Sequence, residues 1–172
     1  RGLVFACDPV ASRSVVESVR RNIGGDYPLL VKLSPDVTDI ASIAKEVVSA
    51  GADGLALINT VLGMAIDIDK MRPKLAGLTG GLSGPAIRPI AVRAIYQVHK
   101  ALPNIPILGM GGVTSGRDAL ELVLAGASGI SVGTATFGNP NAAMQIKNEL
   151  LSLIQERGFN SFADAIGAAH EE

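Results

Sequence analysis

The chain has 172 residues, 15 Lys and Arg against 16 Asp and Glu, and a formal net charge of −1; this balance lacks the basic patch that a nucleic acid or an anionic membrane would require. A hydrophobic fraction of 48% with only 3% aromatics makes the core aliphatic, as in buried parallel strands covered by helices. A single cysteine, Cys7, excludes an internal disulfide framework and fits a reducing compartment, and no apolar run approaches the roughly 20 residues of a membrane span.

In chain order, residues 8–23 carry Val15, Val16, Val19 and Ile23 at helical spacing, with Asp8 as N-cap and Pro9 in the first turn. Residues 27–34, "YPLLVKLS", read as a buried strand, and 39–52 as an amphipathic helix stopped by Gly51. "GLALINT" (54–60) is the next strand. Residues 84–102 form a helix with Pro85 near its first turn, and Pro89 delays its start. A strand at 105–112, a helix at 115–127, a strand at 129–135, a helix at 139–158 and a short helix at 161–169 complete the series. Between the second strand and its helix lies a long inserted loop, 61–83, in which "AIDID" and "KLAGL" flank "KMRP" as a small hairpin; long loops at such a place serve as lids or substrate loops, or are plain surface insertions.

Alternating strands and helices, with strands apolar on both faces, imply α/β architecture with a parallel sheet. "AGADGLALINT" and "AGASGISVGTA" repeat one unit: helix end, glycine, short strand, then small polar residues at the strand's carboxyl end. That is the unit of a (β/α)8 TIM barrel, with a doubly wound sheet as the runner-up. Only four βα units are present, and a barrel closes with eight strands. The chain starts at Arg1, without an initiator methionine. The expectation is that 1–172 forms the C-terminal portion of a single barrel domain, its other half supplied by an upstream segment.

Gly111-Gly112 and Gly133-Thr134 each end a strand ahead of a helix. Glycine lets the backbone approach a ligand and point N–H groups at it, and the last two strand ends of a barrel are the usual phosphate site; otherwise these glycines only make tight turns. Lys32 sits in an apolar strand, where an unpaired ammonium is costly. It reads as a Schiff-base nucleophile, as a fixed positive charge beside an electron-accepting ring, or as half of a structural ion pair. Asn59 and Thr60 offer donors and acceptors to a heterocycle, or make a turn. Ser83 and Gly84 precede a helix, where backbone donors meet an anion or simply cap. Asp36 and Asp39 read as helix caps, His99 and His170 lie near helix ends without a partner evident in the sequence, and Cys7 precedes a helix start.

"VKLSPDVTDI", "GADGLALINT", "TGGLSGPAIRPIA", "ILGMGGVTSGRDALE" and "AGASGISVGTA", in this order, closely resemble dihydroorotate dehydrogenase. The resemblance covers nearly the whole chain. "INTVLGMAIDI" and "GGLSGPAIRPIA" look most like the NAD-linked subtype, class 1B. The pyrimidine-reducing domain of dihydropyrimidine dehydrogenase is the nearest rival, and a phosphate-binding lyase, aldolase or isomerase barrel using Lys32 is another reading; a half-barrel without enzymatic activity is a third. The resemblance implies flavin mononucleotide (FMN) at the barrel mouth and oxidation of dihydroorotate to orotate in pyrimidine synthesis, in the cytoplasm. It implies Lys32, Ile58, Gly84, Gly111, Gly112, Gly133 and Thr134 at the cofactor, Asn59 and Thr60 at the pyrimidine, and no metal. It further implies a homodimer or heterotetramer, with FAD and a [2Fe-2S] cluster on a partner subunit. The family's cysteine base lies in an "SCPN" loop that is not in this chain. "VFACDP" matches the segment after that loop, so Cys7 is not the base, which is expected upstream of Arg1.

Overall fold

The computed structural model describes residues 2–170. It opens with α1 (Gly2–Cys7) and α2 (Pro9–Ile23). As expected, Asp8 caps α2, its carboxylate accepting the Ala11 N–H at 2.6 Å, and Pro9 occupies the first turn, where its missing N–H costs nothing. Then come β1 (Leu30–Leu33), α3 (Ile40–Ser49), β2 (Gly54–Leu57), a four-strand excursion of β3 (Val61–Gly63), β4 (Ile66–Asp67), β5 (Arg72–Pro73) and β6 (Gly80–Leu82), then α4 (Arg88–Ala101), β7 (Ile107–Met110), α5 (Gly116–Leu124), β8 (Gly129–Ser131), α6 (Ala135–Gly138), α7 (Ala142–Glu156) and α8 (Phe162–Ala165). Single 3₁₀ turns cover Pro85–Ile87 and Ala168–His170. Pro89 does delay α4: the chain makes the 3₁₀ turn first, and the regular helix begins at Arg88 with proline in its first turn.

Four strands form one parallel sheet in the order β1-β2-β7-β8. Register pairs Lys32 with Ala56, Ala56 with Leu108, and Leu108 with Gly129. Side chains alternate along each strand, so Val31, Leu33, Leu55, Leu57 and Ile107 turn to the helices, while Lys32, Ala56, Leu108 and Met110 turn to the other face. Leu55, Leu57 and Ile107 are fully buried beneath α3, α4 and α5. The helices present Ile40, Ile43, Ala44 and Val47 from α3 and Ala91, Ala94, Ile95 and Val98 from α4, the i, i+3, i+4, i+7 stripe of an amphipathic helix. Each fully buried leucine contributes about 1.5–3 kcal/mol.

Two readings of the sequence need correction in this region. Within 61–83 the hairpin is nested. The outer ladder pairs β3 with β6, and the inner one pairs Ile66 with Pro73 and Asp67 with Arg72. "AIDID" therefore meets "RP", not "KLAGL". The latter bends, because Leu78 has a φ of +67° and its N–H returns to Leu75 O. The strand read at 129–135 stops at Ser131, and α6 takes up the residues after Thr134.

The two histidines also meet, contrary to the reading that they lack partners. His170 stacks on Tyr96, with centroids 3.8 Å apart and planes 11° apart, and its Nε2 donates to Ala125 O at 3.0 Å. The His99 ring lies 5.0 Å from it, with Nδ1 buried and without a partner. Burial, and secondarily the charge His170 would carry, hold the His99 pKa below 6.5. The unfolded chain therefore binds a proton there before the folded one does. Stability is full above about pH 6.5 and falls as pH drops toward the lower folded value. Thermal unfolding followed between about pH 7.5 and 5 is expected to show this loss, and His99→Phe to flatten it; an unaltered slope in the variant would remove His99 as its source.

Candidate functional site

A cavity of about 340 Å³ opens at the carboxyl ends of the four parallel strands, within the usual size range of small-molecule sites. Lys32 enters it from β1, Ile58 and Thr60 from the segment after β2, Ser83 and Gly84 from the link between β6 and α4, Met110 from the end of β7 and Gly111 to Thr114 from the turn after it, and Ser131, Gly133, Thr134 and Ala135 from the end of β8 and the start of α6. The Leu57–Ile58 peptide is cis. Every residue that the sequence singled out for a ligand lines this cavity except Asn59. The Asn59 side-chain oxygen accepts its neighbour's Thr60 N–H at 2.8 Å, and its own N–H donates to Leu33 O at 2.9 Å. Asn59 thus sits at the rim, exposed, with its amide nitrogen turned to no protein acceptor among the described residues.

The glycines have different physical reasons. Gly112 has a φ of +72°, and a Cβ there would lie 2.8 Å from Gly84 O and 2.9 Å from Arg88 Cβ. The turn after β7 is thus pressed against the start of α4, and only glycine fits. Gly133 and Gly84 would carry a Cβ with no protein atom within 4 Å, so their backbones face open space. The N–H groups of Gly112, Gly133 and Thr134 donate to no acceptor among the described residues. Beside them, Thr134 Oγ1 donates to Ser83 Oγ at 2.9 Å, a bond across the cavity mouth between two segments far apart in the chain. Free N–H groups, two hydroxyls and open space in front of glycine backbone form a cradle suited to a phosphate.

Among the described residues, Lys32 is the sole titratable side chain lining the cavity. It forms no ion pair among the described residues, so the structural-pair reading has no partner within them. No carboxylate, imidazole or thiol lines the cavity, so the described residues supply a cation and donors but no general base. Cys7 lies elsewhere, its thiol donating to Asp36 O at 3.3 Å. Asp39 caps α3 through the N–H groups of Ala41 and Ser42. Asp36 is not a cap: its carboxylate accepts the Leu62 N–H at 3.2 Å and ties the β1–α3 loop to the base of the excursion.

Behind the cradle lies a network absent from the sequence reading. Asp118 Oδ2 accepts from both Thr114 N, at 2.9 Å, and Thr114 Oγ1, at 2.7 Å. Asp118 Oδ1 takes Arg88 Nη1 at 2.7 Å, and Arg88 Nε reaches Glu121 at 3.0 Å. Burial pushes the Asp118 carboxyl up, but the bonds from Thr114 and Ser115 and the Arg88 charge outweigh it and hold the group below the usual carboxylate range. The only sequence signal was "SGRD", whose Ser115 and Asp118 mark the helix start.

Parallel βα units with a cradle and a lone lysine at the strand ends make this a portion of a (β/α) barrel, with the candidate site at the face where such barrels bind ligands. The family model of dihydroorotate dehydrogenase matches residues 4–154, and the chain belongs to that family. It is 50% identical over 167 residues to the catalytic subunit of dihydroorotate dehydrogenase B (NAD(+)) from Geobacter sp. (strain M21), covering 97% of this chain and 54% of that protein. Against the same subunit from Desulforamulus reducens the identity is 49% over 169 residues, covering 98% and 55%. Among solved structures, the ligand-free dihydroorotate dehydrogenase of Eimeria tenella superposes with a TM-score of 0.82 at 27% identity, covering 98% of this chain and 52% of that one. The chain thus spans about half the length of the relatives it matches, as the count of four βα units implied. No described helix is long and apolar enough to cross a membrane.

Proposed function

We propose that the protein carrying this chain is a cytoplasmic flavoenzyme that oxidises dihydroorotate to orotate in pyrimidine synthesis, this chain being the C-terminal portion of its single barrel domain. The observation that carries the reading is the cradle of Gly112, Gly133 and Thr134 beside an unpaired Lys32, in a chain of this family. Flavin mononucleotide, when bound, supplies the hydride acceptor. Gly111, Gly112, Gly133 and Thr134 hold its phosphate by backbone N–H groups. Gly84 and Ile58 lie along its length by backbone contact. Lys32 places a positive charge where negative charge builds up as the hydride is accepted, and a preset charge stabilises that transition state. Asn59 and Thr60 meet the pyrimidine, the exposed Asn59 amide nitrogen being free to donate. The substrate loses a hydride and a proton, and the proton needs a base. With no base among the cavity-lining residues, the proton goes to a group on another segment. The relatives named as catalytic subunits of the NAD-linked type favour a partner subunit with FAD and a [2Fe-2S] cluster, which passes the electrons to NAD in a heterotetramer.

The test is a visible spectrum of the purified whole protein, followed by anaerobic addition of dihydroorotate. A flavin spectrum that bleaches with the substrate is expected. A colourless protein whose Lys32 is trapped on a carbonyl substrate by borohydride would replace this reading with the lyase or aldolase alternative. The match to the dihydroorotate dehydrogenase family over residues 4–154 speaks against that alternative.

A further inference from the structure

Building on the flavin reading, we propose that Arg88 and Asp118 are positioning residues that set the phosphate cradle from behind. The turn from Gly111 to Thr114 is held at both ends. At one end Gly112 abuts Gly84 O and the Arg88 backbone, which leave no room for a Cβ. At the other, Thr114 gives both its N–H and its hydroxyl to one oxygen of Asp118, at 2.9 and 2.7 Å. Arg88 closes the loop: it is the first residue of α4, and its guanidinium binds Asp118 and Glu121 on α5 at 2.7 and 3.0 Å. The starts of α4 and α5 are therefore clamped together, with the turn between them. Arg88 spends these donors on α5 and does not line the cavity, so it acts on a ligand only through the turn.

The helices themselves are held lower down, by the buried Ile95, Val98, Leu122 and Val123. The clamp lies at the rim, where the Asp118 side chain is 12% exposed and that of Arg88 30%. Its removal is therefore felt by the turn more than by the core. Asp118 keeps its two bonds from Thr114 when Arg88 is removed, and Arg88 keeps Glu121 when Asp118 is changed, so neither substitution leaves a charge without a hydrogen-bonding partner. The clamp's value lies in orientation: the free N–H of Gly112 points at the phosphate only while the turn keeps its shape, and a preorganised donor needs no rearrangement when the anion arrives.

The experiment uses the whole protein stripped of flavin, and compares FMN with riboflavin, which lacks the phosphate. Asp118→Asn and Arg88→Met are expected to weaken FMN by about 10- to 100-fold, the usual effect of removing a group that orients a ligand-binding residue. Riboflavin affinity and the unfolding midpoint of the flavin-free protein stay close to the parent's. Arg88→Lys restores part of the loss. The double variant is no weaker than the worse single, because both residues act through one turn. Equal losses of FMN and riboflavin affinity, or an unchanged FMN affinity, would overturn the clamp. A parent protein that binds neither flavin would instead overturn the flavin reading on which it rests.

Discussion

Gly112→Val is expected to cost the protein its FMN, with affinity lower by about 100-fold or more. A left-handed backbone costs an L-residue about 1–2 kcal/mol, and a β-branched side chain narrows its options further. At φ +72° the new Cβ would also fall 2.8 Å from Gly84 O, 2.9 Å from Arg88 Cβ and 3.0 Å from Arg88 N. Two of those atoms are backbone, so the turn itself must move. A combined displacement of about 3 kcal/mol corresponds to a little over 100-fold. Gly133→Val makes a useful companion. Its Cβ would meet no protein atom within 4 Å, so it leaves the flavin-free fold intact and obstructs only the ligand. Fluorescence titration of the flavin-free proteins with FMN, alongside thermal unfolding, separates the two effects. Parent-like FMN affinity in Gly112→Val would show that the phosphate lies elsewhere.

Lys32→Ala is expected to slow flavin reduction by dihydroorotate by about 10²–10³, the usual cost of one well-placed electrostatic stabiliser, while the unfolding midpoint stays near the parent's. The asymmetry follows from the surroundings. Lys32 stands on the cavity face of β1, paired in register with the small Ala56, and no described ion pair depends on it. Removing it breaks no bond and leaves no carboxylate unpaired among the described residues. Stopped-flow absorbance under anaerobic conditions reads the rate directly. An unchanged rate, or a large loss of stability, would make Lys32 a structural residue after all.

Much of this arrangement was legible in the residues. Helix starts were readable at Asp8 and Asp39 because a capping carboxylate is a local device, and the four strands because each is a short aliphatic run bounded by glycine, proline or small polar residues. The cavity-lining face was readable because glycines and small polar residues cluster at one end of every unit. What escaped notice depends on distant partners or on weak local preference. The β3–β6 ladder uses Gly80 and Gly81, poor strand formers. "GISVGTA" reads as one extended run, although only Gly129–Ser131 has a neighbouring strand to pair with. Asp36 resembles a cap in sequence but serves Leu62. The Arg88–Asp118 clamp and the His99–His170 contact each join segments on different helical units, and no spacing rule announces such a pair.

The order β1-β2-β7-β8 follows the order of the chain, so each strand pairs with the one synthesised before it. The widest gap, from β2 to β7, is shortened by the excursion, whose outer ladder brings Val61 beside Leu82. The entropy of closing a loop grows with the logarithm of its effective length. Once that hairpin has formed, α4 starts beside the end of β2 rather than some twenty residues downstream. Assembly can then proceed as a sequence of short-range dockings, each βα unit settling on the last as it leaves the ribosome. That lowers the contact order of what would otherwise be a slow parallel topology. It also shortens the time during which β2, apolar on both faces, stands with an unpaired edge.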